Sequence, residues 1–77
     1  MTLKELKKVW HDKEIKISLT AWDPDPKIRK EGGFMTCVSG EPWSSNNFND
    51  DLWWMNCEVF SVFTTEHRAY IDVIIKE

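Results

Sequence analysis

Hydrophobic alternation is clearest in the last third of the chain. Residues 57–64 (CEVFSVFT) and 69–76 (AYIDVIIK) are dense in β-branched and aromatic side chains and contain neither Gly nor Pro. Such runs predict two strands of a hairpin. With Glu66 and His67 at the tip, Phe63 faces Tyr70, Val62 faces Ile71, Phe60 faces Val73 and Val59 faces Ile74. Strand side chains alternate, so Phe60, Val62, Ala69, Ile71, Val73 and Ile75 share an apolar face that needs a cover. The other face carries Val59, Ser61, Phe63, Tyr70, Asp72 and Ile74 and is only half suited to water.

Upstream, Thr2-Leu-Lys-Glu5 has the spacing of a capping box, and Leu3, Leu6, Val9 and Trp10 recur at helical spacing. The predicted helix has about two to three turns, too few to persist alone, so it must lie on a sheet. Residues 15–22 alternate again, with Ile15, Ile17, Leu19 and Ala21 opposite Lys16, Ser18, Thr20 and Trp22. Asp23-Pro-Asp-Pro26 stops that strand, because proline lacks a donor and restricts the residue before it. Residues 23–33 then predict a long, mobile connection ending at Gly32-Gly33. Residues 34–39 form the next strand, ended by Gly40-Glu-Pro42.

Residues 43–56 (WSSNNFNDDLWWMN) fit neither period. Their Ser and Asn favour turns and caps, and a helical turn capped by Asn47 or Asn49, or one through residues 50–54, suits them. The order is helix, strand, strand, irregular aromatic segment, strand, strand. Consecutive strands usually pair, so the expected fold class is α+β: one domain over residues 1–77, with a four-stranded antiparallel sheet and the N-terminal helix on one face.

Seventy-seven residues stand near the lower size for a single core, and five Trp, four Phe and one Tyr are more large rings than so small an interior hides. No stretch approaches the roughly 20 apolar residues of a membrane span, and no signal-peptide core begins the chain, so a cytoplasmic location is expected. The net charge of −3 is divided. Residues 1–30 hold eight Lys/Arg against five acids, whereas residues 31–77 hold two against eight. An acidic total disfavours direct nucleic-acid binding, in which phosphate attraction dominates.

Catalytic chemistry finds little to work with. His11 falls at a helix exit and His67 at a hairpin tip, and Cys57 and His67 lie at opposite ends of one strand. Gly32-Gly33 lacks the lysine and helix of a phosphate cradle. Asp23 with Asp25, or Asp50 and Asp51 with Glu58, read as turn and surface carboxylates rather than as a magnesium site, which also needs basic residues to hold phosphates. Cys37 and Cys57 match no zinc spacing. They read as buried reduced thiols, a disulfide requiring neighbouring strands. Neither metal nor cofactor is expected, and the chain reads as a non-enzyme.

The aromatic segment suggests recognition instead. Trp43, Phe48, Trp53 and Trp54, interleaved with Asp50 and Asp51, have the composition of a protein-contact surface, against the alternative that the rings simply cap the sheet. The mixed face of the terminal hairpin, through Val59, Phe63, Tyr70 and Ile74, is the expected interface of a sheet-on-sheet homodimer. A second reading is a protein that sequesters a nucleotide at a dimer interface, with Trp rings stacking on the base and Lys27, Arg29, Lys30 or Arg68 on phosphate.

The short capped helix, residues 15–22, and the segment from Leu52-Trp-Trp-Met-Asn-Cys-Glu-Val-Phe-Ser-Val62 into Ile71-Asp-Val-Ile-Ile75 resemble small accessory proteins of phages and mobile elements. The resemblance implies a host-cytoplasmic inhibitor of a bacterial defence system, a CRISPR effector among them, that occludes or mimics a nucleic-acid site. It assigns a role to no residue.

Overall fold

The computed structural model describes residues 1–76. The predicted strands are present, as β1 (Lys16–Trp22), β2 (Phe34–Glu41), β3 (Glu58–Thr64) and β4 (Arg68–Ile74), with α1 (Leu3–Val9) ahead of them. Their order across the sheet is β2-β1-β4-β3. The two hairpins are antiparallel, but β1 runs parallel to β4, so the α+β class holds while the sheet is mixed rather than antiparallel. The preference of consecutive strands to pair fails at one step only. β2 and β3 occupy opposite edges, because the chain between them crosses the sheet instead of turning back.

That crossover, residues 42–57, makes the second layer together with α1. α1 is only seven residues long and buries Leu3 fully, with Leu6 and Trp10 partly covered. It cannot roof four strands alone. Trp43, Phe48, Met55 and Cys57 fill the rest, packed over Ile17, Leu19 and Ala21 of β1, Val38 of β2 and Ala69, Ile71 and Val73 of β4. Trp43 lies between Trp10 and Phe48, with ring centroids 5.9 and 4.9 Å away. Its indole N–H finds no acceptor. The cost of about 1–3 kcal/mol for such a donor is less than the roughly 4–6 kcal/mol from burying 150–250 Å² of ring, so the ring stays inside.

The aromatic segment is helical in two 3₁₀ turns, Asn46–Phe48 and Trp53–Asn56. The side-chain cap on the first is Ser45, not an Asn: its hydroxyl accepts from the Asn47 N–H at 3.1 Å. The Trp54 indole donates to the Asn47 carbonyl at 2.9 Å, and Lys7 Nζ to the Phe48 carbonyl at 2.7 Å. These bonds tie the turns to each other and to α1.

The capping box forms as read. Thr2 N–H donates to Glu5 Oε1 at 2.9 Å, and Glu5 N–H to the Thr2 hydroxyl at 3.2 Å. The Thr2 backbone N–H, and then its hydroxyl, hold the Glu5 carboxyl below its ordinary value of 4.5. A depressed folded-state value stabilises the fold above the unfolded value, and that contribution is lost as pH falls through the folded one. The stability difference between wild type and Glu5→Gln in urea is therefore expected at neutral pH and to disappear in acid. A difference that persists or grows below the carboxylate range contradicts the assignment. The first residues also pair with the β3 edge, through the Thr2–Glu58 bridge and bonds from Leu3 N–H to the Cys57 carbonyl and from Val59 N–H to the Met1 carbonyl.

The long connection 23–33 is built rather than loose. Pro26 opens a short helix, α2 (Pro26–Lys30), at the position where its missing N–H costs nothing. The Asp25 carboxylate caps it by accepting from Lys27 N–H at 2.9 Å. Arg29 Nη1 donates to the Asp23 and Pro24 carbonyls at 2.9 and 3.2 Å. Gly33 closes the turn with its N–H on the Ile28 carbonyl at 2.8 Å, where a Cβ would meet that same carbonyl oxygen at 2.7 Å.

Candidate functional site

One sheet face is roofed and the other is bare. Along β1 and β4 the alternate residues of the bare face are Lys16, Ser18, Thr20, Trp22 and Arg68, Tyr70, Asp72, Ile74, which pair in register across the parallel seam. β2 adds Phe34 beside Trp22 and Thr36 beside Thr20. In the β3–β4 hairpin Phe63 faces Tyr70 and Val62 faces Ile71 as the sequence predicts, and then the register slips. Val59 pairs with Val73, Ser61 with Asp72, and Phe60 is the extra residue of a bulge.

The bulge exchanges two expected positions. Val59 turns toward the core, half-buried, so it leaves the expected dimer surface, while Phe60 comes out on the bare face. The result is two ring clusters with a polar row between them. At one end Phe63 and Tyr70 lie 6.2 Å apart. At the other Trp22 leans on Phe34 at 4.8 Å, close to Phe60. Phe34, Phe60, Phe63 and Tyr70 are 53, 52, 63 and 41% exposed, which is unusual for one face of one small domain. The middle row holds Thr20, Thr36, Ser61 and Asp72. Asp72 Oδ1 accepts from the Trp22 indole at 2.8 Å, which fixes that ring.

Each end of the bare face has its own charges. Beyond Trp22 an open groove of about 350 Å³ runs between Trp22, Phe60 and Pro26, Arg29 and Lys30 of α2. At the Phe63 end a cleft is lined by Asp12, Glu14, Lys16, Glu66, His67 and Arg68. Gly40 takes a positive φ of 69° there, and the Arg68 guanidinium lies against it, 3.2 Å from where a Cβ would stand. Of the basic residues named for phosphate, Arg29 and Lys30 therefore meet the aromatic groove. Arg68 lies six β4 residues away from the Ile74 row, roughly 20 Å along the strand.

The expected contact segment divides. Trp43 and Phe48 are fully buried, so as members of a contact surface both are corrected: the short α1 leaves their places in the core to be filled. Trp54 is half-buried against the crossover. Trp53 stays out, 47% exposed, edge-on to Trp54 at 5.5 Å, and Asp50 and Asp51 are exposed beside it.

Both cysteines are free, Cys57 buried and Cys37 half-buried, and burial pushes the Cys37 thiol above its ordinary range. Among the described residues no three His, Cys, Asp or Glu come together as a metal site, and no helix is long and apolar enough to cross a membrane. Compared with protein-family models, curated proteins and solved structures, the chain matches none.

The sequence signal for the bare face lay in Trp22 and Phe34. They pair at the facing ends of β1 and β2, but consecutive pairing alone leaves them far from Phe63 and Tyr70, which only the parallel β1–β4 seam brings onto the same face.

Proposed function

We propose that this chain is a non-catalytic binding protein that engages a nucleic-acid-binding protein through Trp53, Asp50 and Asp51. The observation that carries the reading is the exposed Trp53 indole, held edge-on by a Trp54 that is itself bonded to Asn47. A ring already fixed in place loses little side-chain freedom on binding, and tryptophan is the residue that most often dominates interface energetics. Two neighbouring carboxylates give the patch the sign that suits a channel lined by Lys and Arg. Occlusion of such a channel would make the protein an inhibitor of its partner.

Capture from bacterial lysate on immobilised protein tests this. Wild type is expected to retain a partner at moderate salt, and Trp53→Ala to lose it by roughly ten-fold or more, with the melting temperature nearly unchanged. Equal retention by both sinks the reading. The groove between Trp22, Phe60, Arg29 and Lys30 favours a second reading, a nucleotide ligand whose base stacks on the rings. Native mass spectrometry of freshly purified protein separates the two, because only the nucleotide reading adds a small mass.

A further inference from the structure

We propose that the bare sheet face is closed by the same face of a second copy of this chain, about a two-fold axis that crosses the strands through the row of Thr20 and Asp72. This surface lies on the other layer from Trp53 and stands independently of the partner reading above.

Four features of the face argue for a second copy. The first is anatomy. Rings occupy the face, one carboxylate lies within it and already accepts from Trp22, and the remaining charges sit at the two ends. Rings on both sides of a short polar row, with most of the charge kept to the rim, fit the depletion of charged residues at the centre of protein interfaces. The second is size. The two longer Cα extents of the whole chain, 35 and 26 Å, enclose roughly 700 Å² as an ellipse, so one side offers at most about the ~800 Å² that each partner of a standard dimer buries, which suits a weak dimer.

The third is charge. The Phe63 end brings three acids, Asp12, Glu14 and Glu66, to two cations, Lys16 and Arg68, whereas the groove end offers Arg29 and Lys30. A polyanion such as a single nucleic-acid strand would meet those three acids. A second copy turned end for end instead sets them against Arg29 and Lys30, twice over by symmetry. The fourth is ring placement. With β3 over β3 and the strand direction reversed, Phe63 of one copy comes over Phe60 of the other, and Tyr70 over Ile74. Sheets about 10 Å apart bring such side chains into contact.

The same axis sets Asp72 close to its symmetry mate. Like charges brought together out of water oppose association, so this carboxylate is a built-in brake on the dimer. Asn at this position keeps the oxygen that accepts from Trp22 and removes the charge.

Sedimentation equilibrium between about 1 µM and 1 mM, a range that spans weak to moderate affinities, tests the proposal. Wild type is expected to approach twice the chain mass and to dissociate further as salt rises. Phe63→Lys is expected to remain monomeric throughout with an unaltered melting temperature at low concentration, since the ring is exposed in one chain. Trp53→Lys is expected to associate like wild type. Asp72→Asn is expected to associate several-fold more tightly, which no edge-to-edge or Trp53-centred dimer would show. A wild type that stays at single-chain mass overturns the proposal. So does a dimer indifferent to Phe63→Lys, or one that Asp72→Asn leaves unchanged. Binding of a labelled single-stranded oligonucleotide by the monomer, abolished by Phe63→Lys, overturns it in favour of a nucleic-acid occupant.

Discussion

Trp43→Ala is expected to cost about 3–5 kcal/mol in urea unfolding, the range for deleting a fully buried large ring. A chain of this length has roughly 4–12 kcal/mol in total, so a large share of its stability would go with one side chain. The ring is completely buried between Trp10 and Phe48, over the sheet where α1 ends. Removing it opens a cavity that a seven-residue helix cannot collapse into. Trp53→Ala, ten residues on, is expected to change stability by about 0.5 kcal/mol or less. Two tryptophans of one segment, deleted alike, would thus separate a wall of the core from a contact ring. If Trp43→Ala unfolds at the wild-type urea midpoint, the roof of the sheet has been assigned to the wrong residues.

Leu19→Ala and Ile71→Ala are each expected to cost about 2–5 kcal/mol, and the double variant less than their sum by about 0.5–3 kcal/mol. Leu19 and Ile71 are register partners on β1 and β4, both essentially without exposed surface. Neighbours that share one cavity do not add. The comparison therefore reports on topology as well as packing. Had consecutive strands simply paired, β1 and β4 would be apart, and residues more than 7–10 Å from each other add to within about 0.3–0.5 kcal/mol. Additive losses across that seam would reject the parallel pairing.

What could be read from the sequence was local. The box of Thr2 and Glu5 needs only three residues of spacing, and it formed. The hairpin register could be read from its tip through Phe63–Tyr70 and Val62–Ile71, because a turn fixes the pairs beside it. It went astray at Phe60, where one extra residue exchanges the faces of Phe60 and Val59. Nothing in alternating Val, Phe and Ser marks a bulge. Asp25-Pro26 had the signature of a helix start, a capping acid followed by proline at the first helical position, but the two prolines read more strongly as a stop. The mixed sheet was out of reach for a different reason. Whether residues 42–57 turn back or cross over depends on where Trp43 and Phe48 find cover, and that is settled by the length of α1, far away in the chain. Composition shows that there are more rings than the core holds, but not which of them stay outside. Trp43 and Phe48 lie inside, Trp53 stays out on the crossover, and the other exposed rings, Phe34, Phe60, Phe63 and Tyr70, lie on the far face beside a half-buried Trp22.

The parallel seam also sets how this chain finds its shape. The β3–β4 hairpin closes over three residues and the β1–β2 hairpin over eleven that include α2, so both pairings are local in sequence. The joint between them pairs Lys16 with Arg68 and Leu19 with Ile71, residues 52 apart in sequence. Those pairings give nothing back until most of the chain has already been drawn together, and folds dominated by such distant pairs are slow. Docking of the two hairpins along this seam is therefore the step expected to limit the rate. Changes near the β3–β4 turn, whose contacts are already made at that step, should then slow folding and leave unfolding nearly unchanged, while core substitutions on the β1–β4 seam should divide their effect between the two rates.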